Sequence, residues 1–344
     1  MVAVTSKPKI LGIGYPKYAI AEFKALQEKY DIHYFVPSDR KQVIGEVKRL
    51  CDEEGPFDGG YVLFQTSAYS PFKRDMLAPL LTTGTCGIWA QGGAGYDDVE
   101  VDFITDNNSW FTNTPYAVTN ATADMGAFLT LAALRGVYEG ESNVRAGKWR
   151  NGMALTTDPN GLKLGIVGMG AIGKSMAVKL QVFGMKVYYY NRKQLSPEEE
   201  KALGVTYSTF EDLITTSDVI SLNCPLTPET RHLIGEKEFA KMKDGVFIVN
   251  TARGAVIDES ALVEALKSGK VSRAGLDVFE EEPKINPYLL TCNRVTLQPH
   301  LGAMSTGTIH TGEKAIFSNL EAYFETGTPI TPVNKPLRAV KQKQ

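Results

Sequence analysis

The residues KLGIVGMGAIGKSMAVKLQVFG, 163–184, carry the strongest structural signal in this chain. An apolar run at 164–167 predicts a short buried strand, and a glycine-rich turn follows it directly. Apolar residues then recur at helical spacing: Ile172, Met176, Leu180 and Phe183. A strand, a glycine turn and a helix in this order indicate a site for a nucleotide pyrophosphate. A turn without a ligand is the alternative.

The glycines of this turn would have separate roles. Gly168 would make the tight turn, Gly170 would let the backbone approach the phosphate, and Gly173 would let the helix pack closely on the strand. The phosphate would lie against the N–H groups at the helix start, including those of Ala171 and Ile172, where the helix dipole favours negative charge.

Composition narrows the class of protein. The chain has 344 residues, enough for two domains, since one hydrophobic core stops growing at about 250 to 300 residues. A net charge of −2 offers no basic surface for nucleic acid or an acidic membrane, and no apolar run approaches the about 20 residues of a membrane span. No signal peptide or lipidation motif is visible, and the four cysteines are scattered. We therefore expect a cytoplasmic protein without a metal.

Short apolar runs alternate with helical patterns along the chain. Strands are predicted at 10–13, 33–36, 61–64, 88–91, 110–112, 164–167, 187–190, 219–223, 247–250, 274–278 and 295–298. Helices are predicted at 19–29, 40–53, 72–81, 122–138, 197–203, 258–267 and 305–326. This alternation predicts parallel sheets covered by helices on both faces.

The predicted fold is α/β, with two doubly wound parallel-sheet domains and a cleft between them. Residues 1–118 plus 303–344 would form a flavodoxin-like substrate domain, and 119–302 an inserted Rossmann cofactor domain.

Three side chains with catalytic chemistry follow predicted strands. Ligands of open parallel sheets bind beyond the carboxyl ends of the strands, so Arg253, Glu282 and His300 are expected at the edge that presents the glycine turn. Arg253 has a planar fork that would bind the carboxylate of a 2-oxo or 2-hydroxy acid. His300 would donate a proton to the substrate oxygen, and Glu282 would orient and charge His300. Together they would form a hydride-transfer site.

Each of these residues has a structural alternative. His300 could be only a hydrogen-bonding group, Arg253 could cap backbone carbonyls, and Glu282 could be one more solvated residue of the acidic run 280–282. Their common edge favours the catalytic interpretation.

Several ordered segments resemble the signatures of the D-isomer-specific 2-hydroxyacid dehydrogenase family, and within it the fungal-type glyoxylate/hydroxypyruvate reductase branch. The segments are ATAD at 121–124, GLKLGIVG at 161–168, PLTPET at 225–230, NTARG at 250–254, AGLDVFEEEP at 274–283 and PHLG at 299–302. The resemblance covers nearly the whole chain. It implies an NAD(P)-dependent enzyme acting on CH–OH donors, with Arg253, Glu282 and His300 in the roles above and Asp277 facing the nicotinamide carboxamide.

Further residues are expected along the cofactor. They are Cys224, Pro225, Thr230, Thr251 and Ala252, beside Arg253 and His300.

A second glycine loop, GGAGYD at 92–97, follows the strand predicted at 88–91. The backbone N–H groups of Gly93, Ala94 and Gly95 could form an anion cradle for the substrate carboxylate, facing Arg253. A plain glycine turn is the alternative, but the family that the chain resembles binds the carboxylate with this loop. Phe64 and Gln65 end another strand, and we expect them to help select the substrate side chain.

The end of the strand at 187–190 bears on cofactor choice. An NAD-specific site usually has Asp or Glu here, which binds the ribose hydroxyls and would repel a 2′-phosphate. This chain has Asn191, followed by Arg192 to pair with the phosphate and Lys193 to add a second charge. We therefore predict that NADPH is preferred to NADH, a solvated Arg-Lys pair being the alternative.

The predicted function is reduction of a small 2-oxo acid, glyoxylate or hydroxypyruvate, to the D-2-hydroxy acid. The alternatives are a dehydrogenase for bulkier 2-oxo acids and a nucleotide-sensing, corepressor-like binding protein of the same fold. The resemblance also implies a homodimer formed through the cofactor domains, with the region 121–150 and Trp149 in the contact.

Overall fold

The computed structural model describes residues 7–64 and 68–336, which divide into two compact units. The first unit consists of the described residues up to Val118 together with those from Ser305 onward. The second unit is Thr119–Met304. Each unit contains one parallel sheet with helices packed on it.

The first unit has a sheet of order β2-β1-β3-β4-β5, in which all paired strands are parallel. Its strands are β1 (Lys9–Ile13), β2 (Asp31–Phe35), β3 (Gly59–Val62), β4 (Ile88–Gln91) and β5 (Trp110–Thr112). Its helices are α1 (Ile20–Lys29), α2 (Arg40–Glu53), α3 (Arg74–Leu81), α4 (Val101–Asp106) and, numbered in chain order, α13 (Thr306–Thr326).

A buried carboxylate ties α13 to the start of α1. Glu313 of α13 is 2% exposed, and its two oxygens accept the backbone N–H groups of Lys17, Tyr18 and Ala19 at 2.8, 2.9 and 2.8 Å. These N–H groups precede the first turn of α1, where the helix dipole favours negative charge. Glu313 therefore caps α1 from a distant part of the chain.

The second unit has a sheet of order β12-β11-β10-β9-β6-β7-β8, again with parallel pairing. Its strands are β6 (Lys163–Val167), β7 (Lys186–Tyr190), β8 (Thr206–Tyr207), β9 (Val219–Leu222), β10 (Val246–Asn250), β11 (Val271–Leu276) and β12 (Val295–Leu297). The helices are α5 (Pro115–Arg135), which begins in the first unit, α6 (Val137–Arg145), α7 (Ala171–Gln181), α8 (Pro197–Leu203), α9 (Phe210–Thr216), α10 (Glu236–Lys241), α11 (Glu259–Ser268) and α12 (Pro287–Thr291). The strand order reverses between β6 and β9, which is where sheets of this kind bind ligands.

The predicted α/β class with two parallel sheets is confirmed, and the predicted helix that differs most from the structure is the one at 122–138. The pattern predicted a helix at 122–138, whereas α5 begins at Pro115 and ends at Arg135. Gly136 adopts the left-handed conformation with φ of 58°, and α6 begins directly after it. Apolar spacing continues across this glycine, so periodicity alone did not reveal the break.

Helix α5 also corrects the expectation that no stretch approaches a membrane span. By length and composition it could cross a membrane, although 56% of its most apolar 18-residue stretch is buried within the protein. Such burial is typical of a core helix.

Candidate active site

The ends of three neighbouring strands meet at one edge of the second sheet. Strands β10, β11 and β12 lie side by side and run parallel. Beyond them, the N–H of Asp277 donates to the carbonyl of Asn250 at 2.9 Å, and the N–H of His300 donates to the carbonyl of Asp277 at 2.8 Å. The segments that carry Arg253, Glu282 and His300 are therefore bonded to one another through the backbone.

His300 and Glu282 form a direct pair. The distance between His300 Nδ1 and Glu282 Oε2 is 2.9 Å, and the other oxygen of Glu282 accepts the N–H of Phe279 at 2.9 Å. Burial alone would raise the pKa of Glu282, but the hydrogen bond and charge of His300, the Phe279 N–H and the charge of Arg253 together lower it. The His300 side chain is 46% exposed, so a ligand can reach it.

The segment that carries Arg253 is held by a residue the sequence reasoning did not select. Asn250 is 1% exposed; its Nδ2 donates to the carbonyl of Arg253 at 2.8 Å, and its Oδ1 accepts the N–H of Ala252 at 3.0 Å. A polar residue at the end of an otherwise apolar strand was the available signal. Arg253 Nη1 also donates to the carbonyl of Ala252 at 2.8 Å. This contact agrees with the alternative interpretation, in which Arg253 caps backbone carbonyls.

Gly254 brings this segment against the Glu282 segment. A Cβ on Gly254 would lie 1.9 Å from the carbonyl carbon of Phe279 and 2.4 Å from the nitrogen of Glu280. No side chain fits there, so the glycine is required by the close approach of two backbones.

Asp277 holds the turn that contains His300. It is 1% exposed, and its two oxygens accept the N–H groups of Leu301 and Gly302 at 2.7 and 2.8 Å. Burial raises the pKa of Asp277, and the two N–H groups oppose this increase. His300 itself has a left-handed backbone with φ of 56°, which is costly for a residue with a side chain. Asp277 thus stabilises the strained turn, a role that the sequence did not reveal; the nicotinamide contact that the resemblance implies for Asp277 stays a prediction.

The glycine turn shows which of its glycines packing requires. A Cβ on Gly168, at φ of 103°, would lie 2.6 Å from the nitrogen of Cys224, and a Cβ on Gly173 would lie 2.3 Å from the carbonyl oxygen of Gly168. A Cβ on Gly170 would meet no described protein atom within 4 Å. Protein packing does not explain this glycine, whereas the close approach of a pyrophosphate does.

The start of α7 supplies the matching donors. Gly170 is its N-cap residue and has no side chain to satisfy the first N–H groups, which belong to Ala171, Ile172 and Gly173. These residues therefore fit a nucleotide phosphate.

The remaining residues expected at the cofactor include Thr230, Thr251 and Cys224, and their surroundings differ. Thr230 closes its own loop, since its Oγ1 donates to the carbonyl of Pro225 at 2.6 Å and accepts the N–H of Thr227 at 2.7 Å. Thr251 is buried, and its Oγ1 has no hydrogen-bond partner within the described parts of the chain. Burial raises the pKa of the Cys224 thiol to about 11. Because the Thr251 Oγ1 is itself enclosed by the protein, its predicted contact with the cofactor stays a prediction.

The ribose end of the site has no carboxylate at the position after β7. Asn191 Oδ1 accepts the N–H of Met169 at 2.7 Å, which connects this position to the glycine turn. Arg192 and Lys193 are exposed. The charge of Arg192 is one of the weaker influences that lower the pKa of Glu229, after the Thr227 hydrogen bond.

In the first unit, the second glycine loop follows β4. The N–H of Gly93 donates to Thr114 Oγ1 at 2.8 Å, and Asn113 Nδ2 donates to the carbonyl of Ala94 at 2.7 Å. The N–H groups of Ala94 and Gly95 have no acceptor among residues 7–64 and 68–336. The loop therefore offers two N–H groups to an anion, while that of Gly93 is already used.

Phe64 follows β3 in the same unit. Its ring occupies a slot between two glycines, because a Cβ on Gly92 or Gly312 would lie 2.8 or 2.2 Å from the ring. The slot holds the ring in one place. Gln65, expected beside it, lies outside the described residues.

A glycine turn at the switch point of a parallel sheet, sharing its edge with an arginine and a histidine–carboxylate pair, is the arrangement of a nicotinamide-dependent dehydrogenase. Residues 127–302 match the family model described as D-isomer specific 2-hydroxyacid dehydrogenase, NAD binding domain. The chain belongs to this family, as the resemblance predicted.

Similar proteins span several substrates. The chain is 44% identical to 4-methyl-2-oxopentanoate reductase A of Aspergillus oryzae, covering 95% of this chain and 98% of the relative. Its sequence is 42% identical to a glyoxylate reductase from Paecilomyes thermophila whose crystal structure is known. The two structures superpose with a TM-score of 0.89, over 96% of this chain and 99% of the reductase. D-mandelate dehydrogenase of Rhodotorula graminis is 31% identical, with a TM-score of 0.90 and coverage of 97% and 100%. The protein is thus an oxidoreductase that acts on CH–OH donors with a nicotinamide cofactor, which confirms the predicted enzyme class.

Proposed function

We propose that this protein reduces a small 2-oxo acid, glyoxylate or hydroxypyruvate, to the D-2-hydroxy acid with NADPH. The observation that carries the proposal is the His300–Glu282 pair, 2.9 Å apart, on the edge that also presents Arg253 and the glycine turn. The similarity to a glyoxylate reductase along nearly the whole chain supports the small substrate.

His300 acts as the proton donor in this proposal. Because Nδ1 faces Glu282, Nε2 is the ring nitrogen left for the substrate oxygen. The Glu282 carboxylate stabilises the imidazolium, and its lowered pKa keeps it ionised near neutral pH. The bound reduced nicotinamide supplies the hydride, and His300 neutralises the oxygen as the carbonyl becomes an alcohol.

Each unit offers one group that suits the substrate carboxylate. Arg253 offers a planar pair of N–H donors, which matches a carboxylate. The N–H groups of Ala94 and Gly95 offer a second, uncharged anion-binding element. Phe64, held in its glycine slot in the first unit, is assigned to the choice of a short substrate side chain.

The NADPH preference rests on the residues after β7. A carboxylate would repel the 2′-phosphate, and Asn191 removes that repulsion. Arg192 and Lys193 are exposed and can both pair with the phosphate.

A substrate panel measured with both cofactors tests the proposal. We expect kcat/KM to be highest for glyoxylate or hydroxypyruvate with NADPH, and activity to be lost in His300→Ala. The panel includes 4-methyl-2-oxopentanoate and phenylpyruvate, because relatives of this chain act on a branched 2-oxo acid or on mandelate. A large preference for either bulky acid would reject the small substrate and leave the bulkier-acid alternative. Equal or better use of NADH would reject the cofactor preference.

We also propose a homodimer formed through the second unit. Large apolar side chains are exposed in and just beyond α6: Val137, Tyr138, Val144, Trp149 and Leu155. Trp149 is 69% exposed, which is unfavourable for an isolated chain in water. Light scattering should give a dimer for the natural protein and a smaller mass for Trp149→Lys; a monomeric natural protein would reject the proposal.

A further inference from the structure

The loop that carries Arg192 and Lys193 is fastened at both ends. At its start, Asn191 Oδ1 accepts the N–H of Met169 in the glycine turn at 2.7 Å. At its other end, the N–H of Leu195 donates to the hydroxyl of Tyr189 at 2.8 Å. The two cationic residues lie between these bonds and are exposed.

Tyr189 is a fixed point for the second of these bonds. It is 0% exposed, and its hydroxyl donates to Glu200 Oε1 at 2.7 Å. Burial and the hydrogen bond to Glu200 raise the pKa of Tyr189 to about 12, so the hydroxyl stays protonated and donates. Gln194 Nε2 donates to the same carboxylate oxygen at 2.9 Å, which adds a second attachment close to Leu195.

The carboxylate that receives these bonds is on a helix connected to the phosphate site. Glu200 is in α8, whose neighbouring residue Glu199 forms an ion pair with Lys174 of α7 at 2.8 Å. Ser196 and Glu199 form a capping box at the start of α8. These contacts form a closed frame. It connects the glycine turn to the loop that carries Arg192 and Lys193, that loop to α8, and α8 to α7, which begins at the glycine turn.

We propose that Tyr189 is a positioning residue for the 2′-phosphate of the cofactor: its hydroxyl holds the loop so that Arg192 and Lys193 lie at a set place relative to the glycine turn. The glycine turn at one end of this frame would hold the pyrophosphate of the cofactor, and the loop with Arg192 and Lys193 would hold its 2′-phosphate. A loop already ordered loses less conformational entropy when the ligand binds. The inference rests on the proposed preference for NADPH.

Tyr189→Phe removes the hydroxyl and keeps the buried ring. The Leu195 N–H then loses its acceptor, and the net contribution of one intramolecular hydrogen bond to the ordered loop corresponds to a factor of about 3 to 10 in an equilibrium constant. We expect the dissociation constant for NADPH to rise by about 3- to 10-fold, while that for NADH and kcat with NADH stay unchanged. Titration of nicotinamide fluorescence gives both constants without turnover.

Tyr207→Phe is the matched control. The Tyr207 ring packs edge-on against Tyr189 with centroids 5.5 Å apart, and its hydroxyl has no hydrogen bond to any described residue. The same atom is removed from a neighbouring tyrosine, so we expect the ratio of the two dissociation constants to stay at its natural value.

The outcomes separate the inference from the function on which it rests. If the natural protein binds NADH as tightly as NADPH, the proposed cofactor preference is wrong and the inference is overturned with it. If the natural protein prefers NADPH and Tyr189→Phe keeps the same ratio, the preference stands and the inference is wrong. Equal weakening of both cofactors, or the same change in Tyr207→Phe, would show a merely structural role and also overturn it.

Discussion

Gly170→Ala is expected to weaken cofactor binding without affecting the fold. The added Cβ would meet no described protein atom within 4 Å, and a φ of −79° suits alanine. Alanine loses less entropy on folding than glycine but is a poorer N-cap residue, and both effects are below about 1 kcal/mol. The free energy of unfolding should therefore change by less than about 1 kcal/mol.

The effect on binding follows from the position of the methyl group. Gly170 directly precedes the N–H groups that begin α7, so the methyl group would take up space that an approaching pyrophosphate needs. A hydrogen bond to a charged group contributes about 1.5 to 3 kcal/mol. Loss of one such bond raises the dissociation constant for the cofactor by about 10- to 100-fold. Fluorescence titration of the bound nicotinamide measures this change, and urea unfolding measures stability.

Gly173→Ala provides the contrast within the same turn. Its Cβ would lie 2.3 Å from the carbonyl oxygen of Gly168, so the helix must shift. Overpacking of this kind costs about 1 to 3 kcal/mol of unfolding free energy. The reasoning is refuted if Gly170→Ala binds the cofactor normally, or if it destabilises the fold as much as Gly173→Ala.

Three further substitutions test individual groups. Arg253→Lys keeps the charge but loses the planar fork, and kcat/KM should fall by the equivalent of about 2 to 4 kcal/mol; unchanged steady-state kinetics would show that Arg253 is structural. Glu282→Gln removes the charge that stabilises the His300 imidazolium across 2.9 Å, on partly exposed groups. The kcat/KM for reduction at neutral pH should fall by about 10- to 100-fold, the worth of a hydrogen bond to a charged group, and unchanged steady-state kinetics would contradict the proposed role. Glu313→Gln places an amide NH₂ against backbone N–H groups at the start of α1. The free energy of unfolding measured in urea should fall by about 2 to 4 kcal/mol. A fall below about 0.5 kcal/mol would contradict the capping role.

The charge of Glu282 sets how the stability of the Glu282–His300 pair depends on pH in the acidic range. Its folded pKa is below its ordinary value, so the stabilisation from its charge is present above the unfolded pKa of about 4.5 and is lost as pH falls through the lower folded value. Across the neutral range the carboxylate therefore stays charged.

Much of the local structure could be predicted from the sequence, because strand, turn and helix signals are local. The glycine turn and the strands on either side of it were predicted from apolar runs and spacing, and the parallel arrangement put Arg253, Glu282 and His300 on one edge. A left-handed glycine inside an apolar pattern, Gly136, was not recognised as a helix end.

Glu282, in the acidic run 280–282, is the residue that the sequence predicts as the partner of His300, and the structure brings these two side chains together. Glu280 instead approaches His232 Nε2 at 2.6 Å and Arg231 Nη2 at 3.2 Å, whereas Glu282 reaches His300. Neighbouring carboxylates in a loop point in different directions, and only the path of the backbone decides which partner each one meets.

The glycine turn within a parallel α/β unit could be predicted from residues 163–184 alone, since glycine and apolar periodicity act over a few residues. What surrounds that turn depends on the tertiary structure. It separated Gly170, which packing does not need, from Gly168 and Gly173, which packing requires. It also showed Asp277 holding the turn of His300 and Tyr189 holding the loop after β7. These contacts depend on where folded segments come to lie, and no local pattern encodes them.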